Sequence, residues 1–280
     1  MRKVLHIVMI VGLVLFVWRV IESRKIEAPR VSFLDVNQGD AILVQLEGGF
    51  DILIDGGPDT TVVQKLGEQL PYFDRTIELI VVSHPDADHV NGLAEVARRY
   101  RVERVLYTGV ADELPAYNEF QKFLRQENTK ELFALAGQTF ELPGGTLTVL
   151  SPSISLIGQS PEDSNTYSVV VRLDVGGRSF VFTGDADLRA EEEILAHGFD
   201  VKADVLKAGH HGSKSATGEA WLEAVQPAIG VISAGRDNHY GHPHQEVLDR
   251  LKRHGVQVVS TAESGDLCLM VMAGELQRCY

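Results

Sequence analysis

Between residues 83 and 93 the sequence reads SHPDADHVNGL, so His84, Asp86, Asp88 and His89 fall within one short turn. Imidazole nitrogen and carboxylate oxygen are donors for divalent metal ions, and alternate residues of an extended turn point to one side. His84 and Asp86 can therefore serve one ion while Asp88 and His89 face a second. Ions held in this way make a bound water acidic enough to attack an electrophile at neutral pH. Later segments add groups of the same kinds. FTGDAD contributes Asp185, LKAGHHGS contributes Lys207, His210 and His211, LIDGG contributes Asp55, and SNTYS contributes Asn165. The run NHYGHPH brings His239, Tyr240, His242 and His244.

Such a turn needs a rigid support. The apolar run at residues 77–82 predicts a buried strand that delivers the first motif, and Asn91 and Gly92 open a helix to residue 100. Upstream, short β-branched runs broken by glycines at 48–49 and 56–57 predict consecutive hairpins, followed by a helix over 60–70 that stops at Pro71. Downstream, strands and helices alternate: strand 104–107, helix 115–126 and a strand pair around 143–145. The second half repeats this order, with strands at 167–175 and 179–182, helix 188–197, strand 203–207, helix 218–225, strand 228–233, helix 245–252 and two closing strands at 256–260 and 266–272. In both halves the strand ends carry the candidate chemistry. Two packed sheets with helices outside, an αββα arrangement of the mixed α/β (α+β) class, is the predicted fold.

The chain has 280 residues, 44% of them hydrophobic, which suffices for a sizeable core. Its net charge of −13 leaves no broad basic face to hold a phosphate backbone, and the sequence offers no aromatic stacking platform. Cys268 lies in an apolar strand-like run and reads as a core residue, with a disulfide to Cys279 as the alternative. Residues 4–18 are apolar apart from His6, and basic residues flank them. A helix over 3–22 would reach about 27 Å, a minimal span of a bilayer core of roughly 30 Å. The expected organisation is a membrane anchor or signal segment at 1–22, a charged linker at 23–30 and a catalytic domain at 31–280. The expected location is a single-pass membrane protein with its domain outside the cytoplasm, and the alternative is a secreted or periplasmic protein. The count of flanking positive charges favours neither orientation clearly.

SHPDADHVNGL, FTGDAD and LKAGHHGS, in that order, resemble the metallo-β-lactamase superfamily. DVNQGDAIL, LIDGG, GHHGS and NHYGHPH further resemble the soluble hydrolase domain of ComEC-type competence proteins. The resemblance covers residues 31–272 and implies an αββα hydrolase with a metal site between its halves. It implies metal ligation by His84, Asp86, Asp88, His89, Asp185 as the shared carboxylate, and the late histidine. Of His210 and His211 the reading favours His210 and keeps His211 as the alternative ligand. Asp86 stands where the superfamily usually has a second histidine, and Asn165 where other members place another. Asn165 is a candidate for metal, water or substrate. Asp55 would fix the metal loop through hydrogen bonds. Asn37 stands where the relatives have glycine, and an Asn tolerates the left-handed backbone that this turn demands. Tyr240 and His242 would stabilise an oxyanion or protonate the leaving group, with His239 supporting them. Lys207 would contact phosphate, or else point to solvent.

Two divalent ions, Zn²⁺ or Mn²⁺, are the implied cofactors, about 3.5 to 4 Å apart and sharing an attacking water. The expected function is a phosphodiesterase or nuclease on single-stranded or duplex DNA. The alternatives are an ester, lactone or lactam hydrolase, and a non-catalytic anchored binding module. Protein partners are left open by the sequence.

Overall fold

The computed structural model describes His6, residues 9–17 and residues 28–279. Two sheets face each other. One runs, edge to edge, through Glu275–Arg278, Leu267–Met272, Arg30–Phe33, Ile42–Leu46, Phe50–Ile54, Leu79–Val81, Arg104–Tyr107 and Lys130–Phe133. The other runs through Gln257–Ser260, Ile229–Ile232, Val205–Lys207, Arg178–Phe182, Val170–Val175, Gly145–Ser151 and Thr139–Leu142. Each sheet joins an antiparallel part made of hairpins to a parallel part whose strands are linked through helices. Tight hairpins can connect only antiparallel neighbours, so the Gly-rich turns and the helical crossovers of the sequence divide each sheet in this way.

Alternation along the strands divides the core into layers. Ile52, Ile54, Leu79 and Val81 from one sheet and Leu173, Phe180, Phe182 and Val205 from the other fill the space between the sheets. Their neighbours Leu53 and Ile80 face outward onto Val62 and Leu66 of helix Thr61–Gln69 and Leu93 and Val96 of helix Leu93–Arg99. On the far side, Val181 and Leu206 pack under helices Leu188–Ala196, Glu219–Val225 and Gln245–Arg253, with Trp221 buried among them. The αββα layering predicted from sequence is present.

Three details differ from the sequence expectations. The strand expected from residue 167 begins only at Val170, because Tyr167 ends a short 3-10 turn over Asn165–Tyr167. A third closing strand, Glu275–Arg278, forms an edge of the larger sheet, and Cys279 is disulfide-bonded to Cys268. Among the described residues no helix is long and apolar enough to cross a membrane. Residues 9–17 are helical with exposed apolar side chains, and the rest of the predicted anchor lies outside the described residues.

Candidate metal centre

Most of the candidate donors follow the C-terminal ends of parallel strands, where the chain leaves the sheet and its loops converge, whereas Asp40 and Asn165 come from loops that precede antiparallel strands. Leu79–Val81 leads to Ser83 and His84, Arg178–Phe182 to Asp185, and Val205–Lys207 to His211. Backbone bonds weld these loops together. The Gly56 N–H donates to the His89 carbonyl at 2.6 Å, the Asp40 N–H to that of Asp88 at 3.3 Å, and the Val169 N–H to that of Ser83 at 2.8 Å, a bond that ties one sheet's loops to the other's. Asn37 does adopt the left-handed backbone, at φ 65°. A side chain at Gly39 would lie 2.0 Å from the Asp88 carbonyl oxygen, so the two loops can approach only because that position lacks one.

Hydrogen bonding fixes how the imidazoles face. The Ser83 hydroxyl donates to Asp55 Oδ2 at 2.6 Å, which leaves its oxygen to accept from His84 Nδ1 at 2.9 Å. His89 Nδ1 donates to the same Asp55 carboxylate at 2.9 Å, and His211 Nδ1 to the Ser233 carbonyl at 2.8 Å. With Nδ1 engaged in all three rings, Nε2 is the nitrogen each ring can turn to an ion. The Nε2 atoms of His89 and His211 lie 3.3 Å apart. Asp185 reaches both, with Oδ1 3.3 Å from His89 and Oδ2 3.4 Å from His211, and Asp88 Oδ2 is 3.3 Å from His211 Nε2. Buried Nε2 of His84 and Oδ1 of Asp185 and Asn165 have no hydrogen-bond partner. Unpaired buried polar atoms of this kind are what a bound cation would satisfy. The donor set therefore fits a divalent metal ion.

Asp40, His89, Asp185 and His211 form a fully buried group whose donor atoms all lie within 4.8 Å of one another. It contains His211, whereas the sequence reading favoured His210. Both residues adopt left-handed backbone, at φ 46° and 53°. That turn sends His211 inward to Ser233 and leaves His210 at the mouth, 27% exposed, with Nε2 3.6 Å from Asp185. Asp185 is not a helix cap: Asp187 takes that role by accepting from the Ala190 N–H at 3.0 Å.

The electrostatics are those of a cation site. Burial opposes the charge on Asp185, but His211 and His89 outweigh it and hold its carboxyl well below the usual range. Burial likewise opposes ionisation of Asp88, which the His211 hydrogen bond and the charge of His89 depress. Burial would also lower both imidazoles, yet Asp185 lifts His211 to about 9, and Asp185 with Asp55 raises His89 well above its ordinary value. In the metal-free site these rings hold protons that an entering ion must displace.

The remaining predicted residues lie around this centre. Asp86 is 45% exposed, 3.7 Å from His84 Nε2, and accepts from the Ser164 hydroxyl at 2.7 Å. His242 packs edge-on to His210, ring centres 5.5 Å apart, and burial together with His210 and His211 pushes it down to about 4. Tyr240 is 54% exposed, its ring 5.7 Å from that of His242 and 3.9 Å from that of His239, so the mouth has an aromatic ledge that the sequence did not reveal. His244 accepts from the Lys214 N–H at 3.2 Å and sits at the start of helix Gln245–Arg253. Lys207 points neither to solvent nor to the mouth. It is wholly buried, and its ammonium pairs with Asp40 and donates to the Gly184 carbonyl at 2.8 Å. Asp40, Ser83 and Ser233 are the site residues that sequence reasoning did not assign.

Residues 34–236 match the metallo-β-lactamase superfamily. The chain belongs to that superfamily. It is 31% identical over 255 residues to ComE operon protein 3 of Bacillus subtilis, covering 85% of this chain and 32% of that one. It is 32% identical over 264 residues to recombination protein 2 of Haemophilus influenzae, covering 91% of this chain and 31% of the relative. The chain thus spans about a third of the length of these relatives. Among solved structures, the metallo-β-lactamase fold protein YhfI of Bacillus subtilis superposes with a TM-score of 0.56 at 16% identity, over 85% of this chain and 98% of that one. That likeness bears on the fold alone. The family is one of metal-dependent hydrolases, and the buried Asp and His cluster is the candidate metal site of this member.

Proposed function

We propose that this chain is a phosphodiesterase that cleaves DNA with two divalent ions, Zn²⁺ or Mn²⁺. Asp88, His89, Asp185 and His211 would hold one ion, and His84, Asp86 and Asn165 the other, with Asp185 shared. When bound, such ions acidify a water and offset the charge on a phosphate. The residues of the chain do the rest. Asp55 and Ser83 hold the imidazoles of His84 and His89 with Nε2 forward. His242, neutral at physiological pH, can give a hydrogen bond to a substrate oxygen at the mouth. Tyr240 and His239 offer ring faces to an unpaired base.

The observation that carries this reading is the oxygen-rich donor set: Asp86 and Asn165 stand where histidines would make a harder preference for zinc, and oxygen donors suit Mn²⁺ or Mg²⁺, the usual company of phosphates. The names of the relatives, a ComE operon protein and a recombination protein, support DNA as the substrate. The disulfide and the apolar helix at 9–17 support an anchored protein whose domain lies on an oxidising side of the membrane.

The test is a substrate panel on the full chain in detergent, with added Mn²⁺ or Zn²⁺: single-stranded DNA, duplex DNA, a chromogenic phosphodiester and a lactam. Metal-dependent cleavage of DNA and of the phosphodiester is the expected result. Turnover of the lactam alone would move the reaction to carbonyl centres. Metal binding without turnover of any substrate would leave a binding module.

A further inference from the structure

Lys207 is 0% exposed, and an ammonium carried so far from water costs several kcal/mol unless it is paired. Its partners are Asp40 Oδ2, the Gly184 carbonyl at 2.8 Å and Asp185 Oδ1 at 3.6 Å. Asp40 approaches the two buried imidazoles from behind. Its Oδ2 is 3.9 Å from His89 Nδ1 and its Oδ1 3.6 Å from His211 Nδ1, the nitrogens already bonded to Asp55 and to Ser233. The Nε2 atoms face the other way, toward Asp185 and Asp88. Asp40 nevertheless stays within 4.8 Å of the remaining donors of the group, and its Oδ1 has no hydrogen-bond partner. That spacing puts this carboxylate within reach of an ion that His89, Asp185 and His211 would hold. The ion pair with Lys207 is the shortest contact that holds it back.

We propose that Lys207 is a positioning residue of the metal centre: its ammonium keeps the Asp40 carboxylate behind the imidazoles and out of the coordination sphere, while steadying Asp185 beside it. Asp88, His89, Asp185 and His211 would then be the residues that hold the ion, and without a further carboxylate from Asp40 more of its coordination would be left to water or substrate, as in reactive rather than saturated sites. This inference rests on the proposed assignment of these four residues as ligands. It concerns metal affinity, so it can fail or hold whatever the substrate is.

The experiment is Mn²⁺ titration of the full chain against a chelating dye, alongside thermal unfolding with and without Mn²⁺. Lys207→Met frees Asp40, which joins the ion, so Mn²⁺ should bind at least about tenfold more tightly than in the wild type. The metal-free variant should melt earlier, because Asp40 is left as a buried unpaired charge, and Mn²⁺ should raise its Tm by more than it raises that of the wild type. In the double variant Lys207→Met/Asp40→Asn neither charge remains, and affinity should return to within about threefold of the wild type, since neither residue is a ligand. Unchanged or weaker Mn²⁺ binding by a folded Lys207→Met overturns the proposal. The double variant also tests it alone, should Lys207→Met not fold without metal: a loss of about 100-fold or more there would make Asp40 a ligand and overturn it.

Discussion

His89 and His211 are fully buried, each is held at Nδ1 by a buried acceptor, and Asp185 between them is flanked by the Lys207 ammonium. Of the donors proposed for the second ion, only His84 is so held, through Ser83, whereas Asp86 is nearly half exposed and Asn165 has an unpartnered Oδ1. In the proposed two-ion arrangement, the first pocket would be richer in nitrogen and pre-set, and the second richer in oxygen and open. A pocket whose donors are fixed before the ion arrives loses little ordering entropy on binding, so the first should load at lower metal concentration. The open pocket would then be the one whose occupancy follows the metal supply, and the side from which a substrate oxygen would approach.

The most severe challenge to this contrast is Asp185→Ala, which removes the carboxylate proposed to serve both pockets. Metal analysis after gel filtration should find both ions lost while the far-ultraviolet circular dichroism is kept. Two ions retained per chain would end the shared-ligand assignment. Next comes the paired comparison of His211→Ala with His210→Ala. The buried ring belongs to the pre-set pocket, so its removal should weaken Mn²⁺ binding at least about tenfold more than removal of the ring at the mouth. Equal losses would show that His210 swings inward on binding. Asp86→His sharpens the comparison from the other side by adding nitrogen to the oxygen-rich pocket. Activity should shift toward zinc, and full activity with zinc alone in the unchanged chain would remove Asp86 from coordination.

The smallest effect is expected at a support. Glu191 accepts from the N–H groups of Thr217 at 2.5 Å and Gly218 at 2.8 Å, and the Thr217 hydroxyl accepts from the Gly209 N–H at 2.9 Å, next to the histidine pair. Burial raises this carboxyl to about 7, against the pull of those N–H groups. The folded state therefore keeps a proton that the unfolded chain releases near 4.5, and stability should fall as pH rises from about 4.5 to about 7 and level off beyond, by a few kcal/mol at most. Denaturant unfolding of Glu191→Gln should lose that slope. An unchanged slope would assign it to another group.

The sequence makes the fold legible because its turn residues and its two periodicities agree, and the four donors of residues 84–89 are legible because they crowd one turn. Lys207 was legible in principle: it shares the side of the strand taken by Val205, which packs between the sheets, whereas Leu206 faces the helices. Strand parity points Lys207 inward, and only the habit of treating lysine as a surface residue hides this. Asp40 is different, since its role depends on a loop contact with residue 88 from a distant part of the chain. The order of His210 and His211 was not legible either. Two successive left-handed residues turn the rings by an amount that no periodicity encodes.

The Asp88 and His89 donors follow a strand of the larger sheet, while Asp185 and His211 follow strands of the smaller one. An ion bound there is also a removable cross-link between the two sheets, and by mass action each tenfold rise in free metal above its Kd adds about 1.4 kcal/mol to the stability of the folded chain. Chelation should therefore loosen the seam at the site end first, where polar loops meet, and leave the apolar contact of Phe33 with Phe182 to hold the sheets together.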